Sequence, residues 1–239
     1  MPFDFQAAYD QLNADDHDYR FYAGVAQELR AQHVLDLGCG TGTLARLLAS
    51  HGHAVVGIDP DPGMLRVARS KPGAENVDWR LGYCDSADSA WADLAIMSGH
   101  VAQVFVAEES WEGALQHLHR ALRVGGTLAF ETRNPRARGW ERWTRAATLR
   151  TVHTGEGAVE FWHETVSVDL PQVTYDTFTR NLPSGKENCD RNILAFRDHD
   201  ALGGSLLRAG YEVSGVFGDW TRGPVTDESP EIITIARRR

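Results

Sequence analysis

Three glycines, Gly38, Gly40 and Gly42, stand at alternate positions directly after the apolar run of VLDLGCGTG. Glycine reaches positive φ and lets another molecule touch the main chain, so this pattern suits a bare turn from strand to helix that receives a ligand. In open parallel sheets ligands gather at the carboxyl ends of the strands. The dinucleotide fingerprint G-x-G-x-x-G would need glycine at position 43, where Thr43 stands. Asp36, inside the strand, also argues against a pyrophosphate and suits a zwitterion carrying an ammonium group. Asp59 ends the next apolar run, AVVGID, 17 residues beyond Gly42. A carboxylate there can accept both hydroxyls of a ribose, selecting an adenosine unit without a 2′-phosphate. The bland alternative is that Asp59 caps the following helix.

Other reactive groups fall at corresponding positions. His100, in MSGHVAQVF, follows the fourth apolar run, and imidazole titrates near neutrality. It is either a general base or a hydrogen-bonding wall residue. FETRNP brings Glu131, Arg133 and Asn134 to the end of the fifth run. Arg133 either clamps a carboxylate or phosphate of a substrate in a bidentate fork or forms an internal salt bridge with Glu131 or another acid. Trp140, Trp143, Phe161 and Trp162 either line an apolar pocket or form a small core of their own. Trp220 and Arg222, in GDWTRGPVTDESPE, are further candidates for substrate contact.

These groups need a scaffold that delivers them to one edge. Strand and helix patterns alternate from Val34 to Arg133: HVLDLG, AVVGID, VDWRLG, ADLAIMS and TLAFETR read as strands, with TLARLLASHG, PGMLRVARSK and ESWEGALQHLHRALRVGG as helices. The last of these helices is expected to close on its two glycines. Apolar strands separated by helices predict an α/β doubly wound sheet, mostly parallel and covered on both faces. Pro135 to Leu149 reads equally as helix or loop. VEFWHETVSVDL, VTYDTFTRNL and NCDRNILAFR are rich in β-branched and aromatic residues and predict antiparallel hairpins. HDALGGSLLRAG restores a helix, and YEVSGVF and EIITIAR supply the sixth and seventh strands. The expectation is one domain over residues 1–239, with an N-terminal helical cap at 1–30. A small antiparallel β insertion at 150–197, between strands five and six, serves as a lid or dimer surface.

VLDLGCGTG followed by GIDPDPGML resembles the class I S-adenosylmethionine-dependent methyltransferase superfamily, in particular its small-molecule branch, from about Tyr19 to the last strand. The resemblance implies a seven-stranded Rossmann-like sheet whose last strand runs antiparallel, with S-adenosylmethionine over the ends of the first four strands. It implies that Gly38, Cys39 and Gly40 meet the methionine portion through backbone, that Asp59 holds the ribose, and that Pro60 and Met64 border the adenine. The family's GDA-like segment corresponds to LGYCDSAD, where Tyr83 occupies the aspartate slot, Cys84 follows and Asp85 takes over the contact to the adenine amine. Ser98, His100 and Gln103 match the segment beneath the sulfonium, and Tyr9 and Tyr19 match tyrosines that fold over the cofactor.

Composition narrows the rest. A net charge of −9 argues against a nucleic-acid partner. Cys39, Cys84 and Cys189 are widely spaced and odd in number, so neither a disulfide framework nor a zinc site is expected, and no metal cofactor. No apolar run approaches the roughly 20 residues of a membrane span, and no signal peptide is recognisable, which predicts a cytoplasmic protein without a membrane partner. The expected activity is in-line transfer of a methyl group from S-adenosylmethionine to oxygen or nitrogen of a small molecule, leaving S-adenosylhomocysteine. Two alternatives stay open: an NAD-dependent oxidoreductase, and a non-catalytic protein that binds an adenosyl ligand. A homodimer is also open.

Overall fold

In the computed structural model, residues 5–13, 16–154 and 157–239 are described. Helices α1 (Phe5–Leu12) and α2 (His17–Glu28) lead into β1 (His33–Leu37), α3 (Thr43–Ser50), β2 (Ala54–Asp59), α4 (Pro62–Ser70) and β3 (Val77–Leu81). The chain then crosses to β4 (Ala92–Met97), α5 (Glu108–Ala121) and β5 (Leu122–Arg133). The strand order across the main sheet is β10-β11-β5-β4-β1-β2-β3, with β10 (Tyr211–Phe217) and β11 (Glu231–Arg238) on the far edge. Only β11 runs against its neighbours, antiparallel to both β10 and β5. Winding reverses between β1 and β4, so their carboxyl ends diverge into the crevice where such sheets take ligands.

Side-chain parity decides what each face of the sheet carries. Leu35, Val56, Met97 and Phe130 pack on one face against α5 and α7 (His199–Arg208), through Trp111, Leu115 and Leu206. Val34, Val55, Ile96, Ala129 and Ile233 point to the other face, against Tyr22, Val25, Leu44 and Leu48 of α2 and α3. Asp36, Asp59, Glu131, Arg133 and Glu231 share that second parity. At the carboxyl edge, therefore, acidic residues replace apolar ones on the face covered by α2.

One expected boundary moves. The helix predicted to close on Gly125–Gly126 ends at Ala121, and Leu122 already pairs with Ala92 in the sheet. The glycines lie in an irregular stretch of β5, where Gly125 has φ +79° and a Cβ on Gly126 would sit 2.9 Å from the Arg123 carbonyl.

Between β5 and α7 the chain forms two 3-10 turns, the short α6 (Arg145–Thr148), and a separate four-stranded antiparallel sheet. Its order is β6-β7-β8-β9, with β6 (Arg150–Thr154), β7 (Gly157–Asp169), β8 (Gln172–Asn181) and β9 (Glu187–Ala195). β6 is an added edge strand, which no pattern in RTVHT marked. The aromatic residues of this region pack chiefly among themselves. Trp140 joins Val173, Leu194 and Phe196, Phe161 joins Val152 and Val159, and Trp162 stacks on Phe178 between Arg145 and Arg180. Among the described residues, no helix is long and apolar enough to cross a membrane.

Candidate functional site

The glycine turn is built by β1, β2 and α3. Gly38, Gly40 and Gly42 all have left-handed backbone, with φ of +73°, +53° and +76°. Their surroundings differ. A Cβ on Gly38 would lie 2.3 Å from Val101, and one on Gly42 would lie 2.3 Å from Trp79. A Cβ on Gly40 would meet nothing within 4 Å. Two of the three glycines are thus required by packing inside the protein, and Gly40 alone borders open space.

The amides of the turn are committed inward. Gly38 and Cys39 both donate to the Ile58 carbonyl at 2.7 and 3.1 Å, and Gly42 donates to the Cys39 carbonyl at 2.8 Å. Gly40 donates to Asp59 Oδ2 at 2.8 Å. A pyrophosphate needs free amides, so this geometry disfavours a dinucleotide. Asp59 itself also accepts from the Asp61 amide at 2.9 Å. The helix-capping alternative for Asp59 is filled by its neighbour: Asp61 caps α4, accepting from the Gly63 amide at 2.6 Å.

Beneath the turn, Asp36 is fully buried. Neither of its oxygens makes a full hydrogen bond among the described residues. Burial, then the charges of Asp59, Asp18 and Glu131, push its carboxyl up to about 7, with the Ala45 amide drawing it down only weakly. Asp59 is also raised, chiefly by burial. No lysine, arginine or histidine of the described residues comes within ion-pairing distance of Asp36 or Asp59. Gly57 stands opposite Asp36 in the sheet, and a Cβ there would press on Trp79 and on the Cys39 sulfur, so the packing around Asp36 depends on a glycine in the adjacent strand.

His100 occupies the loop after β4 with φ +64°, a left-handed conformation that costs an ordinary residue roughly 1–2 kcal/mol. Two glutamates hold it there. Glu131 Oε1 accepts the His100 amide at 2.6 Å, and its other oxygen accepts the hydroxyl of buried Tyr22. The ring Nε2 lies 3.0 Å from Glu231 Oε2. Burial, with help from Arg133, lowers the imidazole pKa to about 3, while burial raises Glu231 to about 7. The pair therefore sits in a low-dielectric place where net charge is disfavoured, with the proton held between Nε2 and the carboxylate. Glu231 carried no signal in the sequence. Yet the first residue of a strand antiparallel to β5 must fall at the carboxyl edge, directly opposite Arg133.

The remaining candidates distribute around this centre. Burial raises the phenols of Tyr9 and Tyr19, and nearby acids add to it, Asp18 for both, with Asp59 for Tyr9 and Asp36 for Tyr19. Helix α1 is bolted above the glycine turn: Asp10 accepts from Thr41 Oγ1 at 2.5 Å and pairs with Lys71, and Gln6 donates to Asp61 at 3.0 Å. Cys39 and Ser98 are buried, Met64 is half-buried and Pro60 is exposed at the tip after β2. Tyr83, Cys84 and Asp85 form the turn after β3; Tyr83 is 66% exposed, and Asp85 is also exposed.

Three of the candidate groups have partners that the sequence did not name. Gln103 is fully buried, donates to the Ala195 carbonyl at 3.1 Å, and accepts from Arg133 Nη1 at 3.0 Å. Of the two readings of Arg133, the salt bridge with Glu131 does not form, because both oxygens of Glu131 serve His100 and Tyr22. The loop bearing Trp220 and Arg222 packs against α2. Trp220 packs edge-on to Phe21 and Tyr22, and Arg222 pairs with Glu28 on α2.

Comparison with known proteins agrees with this geometry. Residues 34–126, which span β1 to β5, match the model of a methyltransferase domain. A ubiquinone/menaquinone biosynthesis C-methyltransferase of Rubrivivax gelatinosus is 31% identical over 121 residues, which cover 47% of this chain and 45% of that protein. A malonyl-[acyl-carrier protein] O-methyltransferase of Pseudescherichia vulneris is 35% identical over 111 residues, covering 44% and 40% respectively. The chain thus spans about half the length of the curated relatives it matches. The structure of an amino pentose methyltransferase from Micromonospora echinaspora with S-adenosylmethionine bound superposes with a TM-score of 0.71 at 20% identity, covering 98% of this chain and 96% of that one. With the sheet order, the glycine turn and the acid after β2 all in place, residues 34–126 resemble a methyltransferase domain and the chain shares the fold of S-adenosylmethionine-dependent methyltransferases.

Proposed function

We propose that this protein transfers a methyl group from S-adenosylmethionine to an oxygen or nitrogen atom of a small-molecule acceptor. One observation carries the reading. Asp36 and Asp59 are raised carboxyls at the carboxyl ends of β1 and β2 with no cation among the described residues in ion-pairing distance, under a turn whose amides already point inward. A buried acid pair of this kind is stabilised by a ligand that brings positive charge, which an ammonium and a sulfonium do and a pyrophosphate does not. Asp36 would face the amino group, Asp59 the ribose diol, and the open side of Gly40 the methionine portion. Pro60, Met64, Tyr83, Cys84 and Asp85 would border the adenine, with Cys39 and Ser98 along the methionine and sulfonium and Tyr9 and Tyr19 as the roof.

When bound, S-adenosylmethionine supplies a methyl already activated by its positive sulfur. The chain's task is then to orient the acceptor, exclude water and take up a proton from an acceptor that arrives protonated. His100 and Glu231 act as one base in this scheme: the imidazole takes the acceptor proton while the proton on Nε2 passes to Glu231. The carboxylate, raised to about 7, is a better final holder than the ring, lowered to about 3. Helices α1 and α2 act as a cap and the β6–β9 sheet as a lid over the acceptor.

The test has two steps. Calorimetry should show S-adenosylhomocysteine binding and no NAD binding; the reverse result would return the oxidoreductase reading. A metabolite extract incubated with methyl-labelled S-adenosylmethionine should then yield a labelled product. Binding without any labelled product would leave a non-catalytic adenosyl-ligand protein.

A further inference from the structure

Arg133 is the last residue of β5; burial lowers its pKa, and the charges of Glu231 and Glu131 favour the guanidinium without either acid bonding to it. Glu131, two residues back on the same face, is committed to His100 and Tyr22. Glu231, its direct cross-strand partner, is committed to His100 Nε2. Among the described residues, no carboxylate lies within 4.0 Å of the guanidinium. Its one side-chain acceptor is Gln103 Oε1, 3.0 Å from Nη1. Gln103 is in turn fixed by its bond to the Ala195 carbonyl at the end of β9, which sets the plane of the fork relative to the second sheet. The Trp143 ring lies 5.5 Å from the guanidinium carbon and covers one side. The Nε and Nη2 edge has no acceptor among the described residues, and neither atom is sealed away.

We propose that this edge of Arg133 anchors a carboxylate carried by the methyl acceptor. The inference rests on the methyl-transfer reading and names its substrate class: a small aromatic or cyclic acid. Guanidinium stays charged under any physiological condition, and a poorly hydrated arginine without an anion is costly, so the site is built for a planar anion held by two parallel N–H bonds. The walls facing it contribute no such anion. Tyr175 from β8 and Tyr9 from α1 feel the charge of Arg133 and are protonated phenols, their pKa values raised mainly by burial. His163 from β7 is neutral, lowered to about 4 by burial and by Arg133 and Arg150. Phe161 packs edge-on to the His163 ring at 4.8 Å. This wall is aromatic and hydrogen-bonding but uncharged, which suits a ring that bears one acid group.

The same chemistry exists on the cofactor's methionine carboxylate, and the experiment separates the two sources. Titrate wild type and Arg133→Gln first with S-adenosylhomocysteine, then titrate each saturated complex with benzoate, 4-hydroxybenzoate and the neutral benzamide, following heat and tryptophan fluorescence. The expected result is S-adenosylhomocysteine affinity within threefold in the two proteins. The acids should bind the wild-type complex at least tenfold tighter than benzamide, and that preference should vanish in Arg133→Gln. A tenfold or greater loss of S-adenosylhomocysteine affinity in Arg133→Gln would reassign the arginine to the cofactor and overturn the proposal. Equal binding of benzoate and benzamide to wild type would overturn it as well. Failure of wild type to bind S-adenosylhomocysteine at all would instead sink the parent reading, and this one with it.

Discussion

Replacing Asp36 by asparagine keeps the size of a fully buried side chain and removes its ability to ionise. The carboxyl is raised from 3.8 to about 7, a shift of about 3 pH units that corresponds to about 4 kcal/mol at roughly 1.4 kcal/mol per unit. The sign follows from which state binds the proton. The folded protein holds it more tightly than the unfolded chain, so below about pH 4 the side chain is protonated in both states and carries no penalty. As pH rises the unfolded chain ionises first, and stability falls until the folded carboxyl ionises too, near pH 7. The penalty is on the order of 2 kcal/mol at pH 5 and about 4 kcal/mol at pH 8. Asp36→Asn lacks it, so its gain over wild type should be about 2–3 kcal/mol larger at pH 8 than at pH 5. Urea denaturation of the ligand-free proteins at the two pH values reads this directly. Saturating S-adenosylhomocysteine should shrink the difference, because its ammonium offsets the charge in wild type alone. A stability difference that is the same at pH 5 and pH 8 would refute the assignment of the raised carboxyl to Asp36.

The other predictions follow from the same geometry. Gly38→Ala should destabilise the protein by at least about 2 kcal/mol, since its Cβ would lie 2.3 Å from Val101 at φ +73°, whereas Gly40→Ala should cost about 1 kcal/mol yet weaken S-adenosylhomocysteine at least tenfold. Equal melting temperatures for the two variants would contradict the packing difference. Asp59→Ala should also weaken S-adenosylhomocysteine at least tenfold by calorimetry, and unchanged affinity would remove its ribose role. His100→Ala and Glu231→Gln should each slow methyl transfer while leaving S-adenosylhomocysteine affinity within threefold. In wild type, kcat/KM should rise with pH through about 7 as Glu231 becomes the free base, and this step should be missing in Glu231→Gln. A rise that survives the substitution would move the titration to another group.

Much of the fold was legible because its signals are local. An apolar run, three glycines and a terminal acid each report on a few consecutive residues, and their alternation admits one economical sheet. Gly38, Gly40, Gly42, Asp36 and Asp59 come together because adjacent parallel strands in register must end side by side. What stayed illegible depends on partners far apart in the chain. His100 and Glu231 are 131 residues apart, and Glu131 meets Tyr22 across 109. Gln103 entered through the resemblance of MSGHVAQVF to the segment beneath the sulfonium, and its partners, the Ala195 carbonyl and Arg133, are visible only in the packed molecule. The edge strand β6 was silent because its stability comes from pairing with β7, not from its own residues.

The amino-acid sequence by itself thus determined the sheet, its switch point and the turn that borders the ligand crevice, because chain sterics and hydrophobic period act over neighbouring residues. Only the tertiary structure decided which glycine of the turn is open, which acid holds His100, and that no carboxylate of the described residues bonds to Arg133. Those outcomes depend on which of several competing partners a side chain actually reaches, and that is a property of the packed molecule.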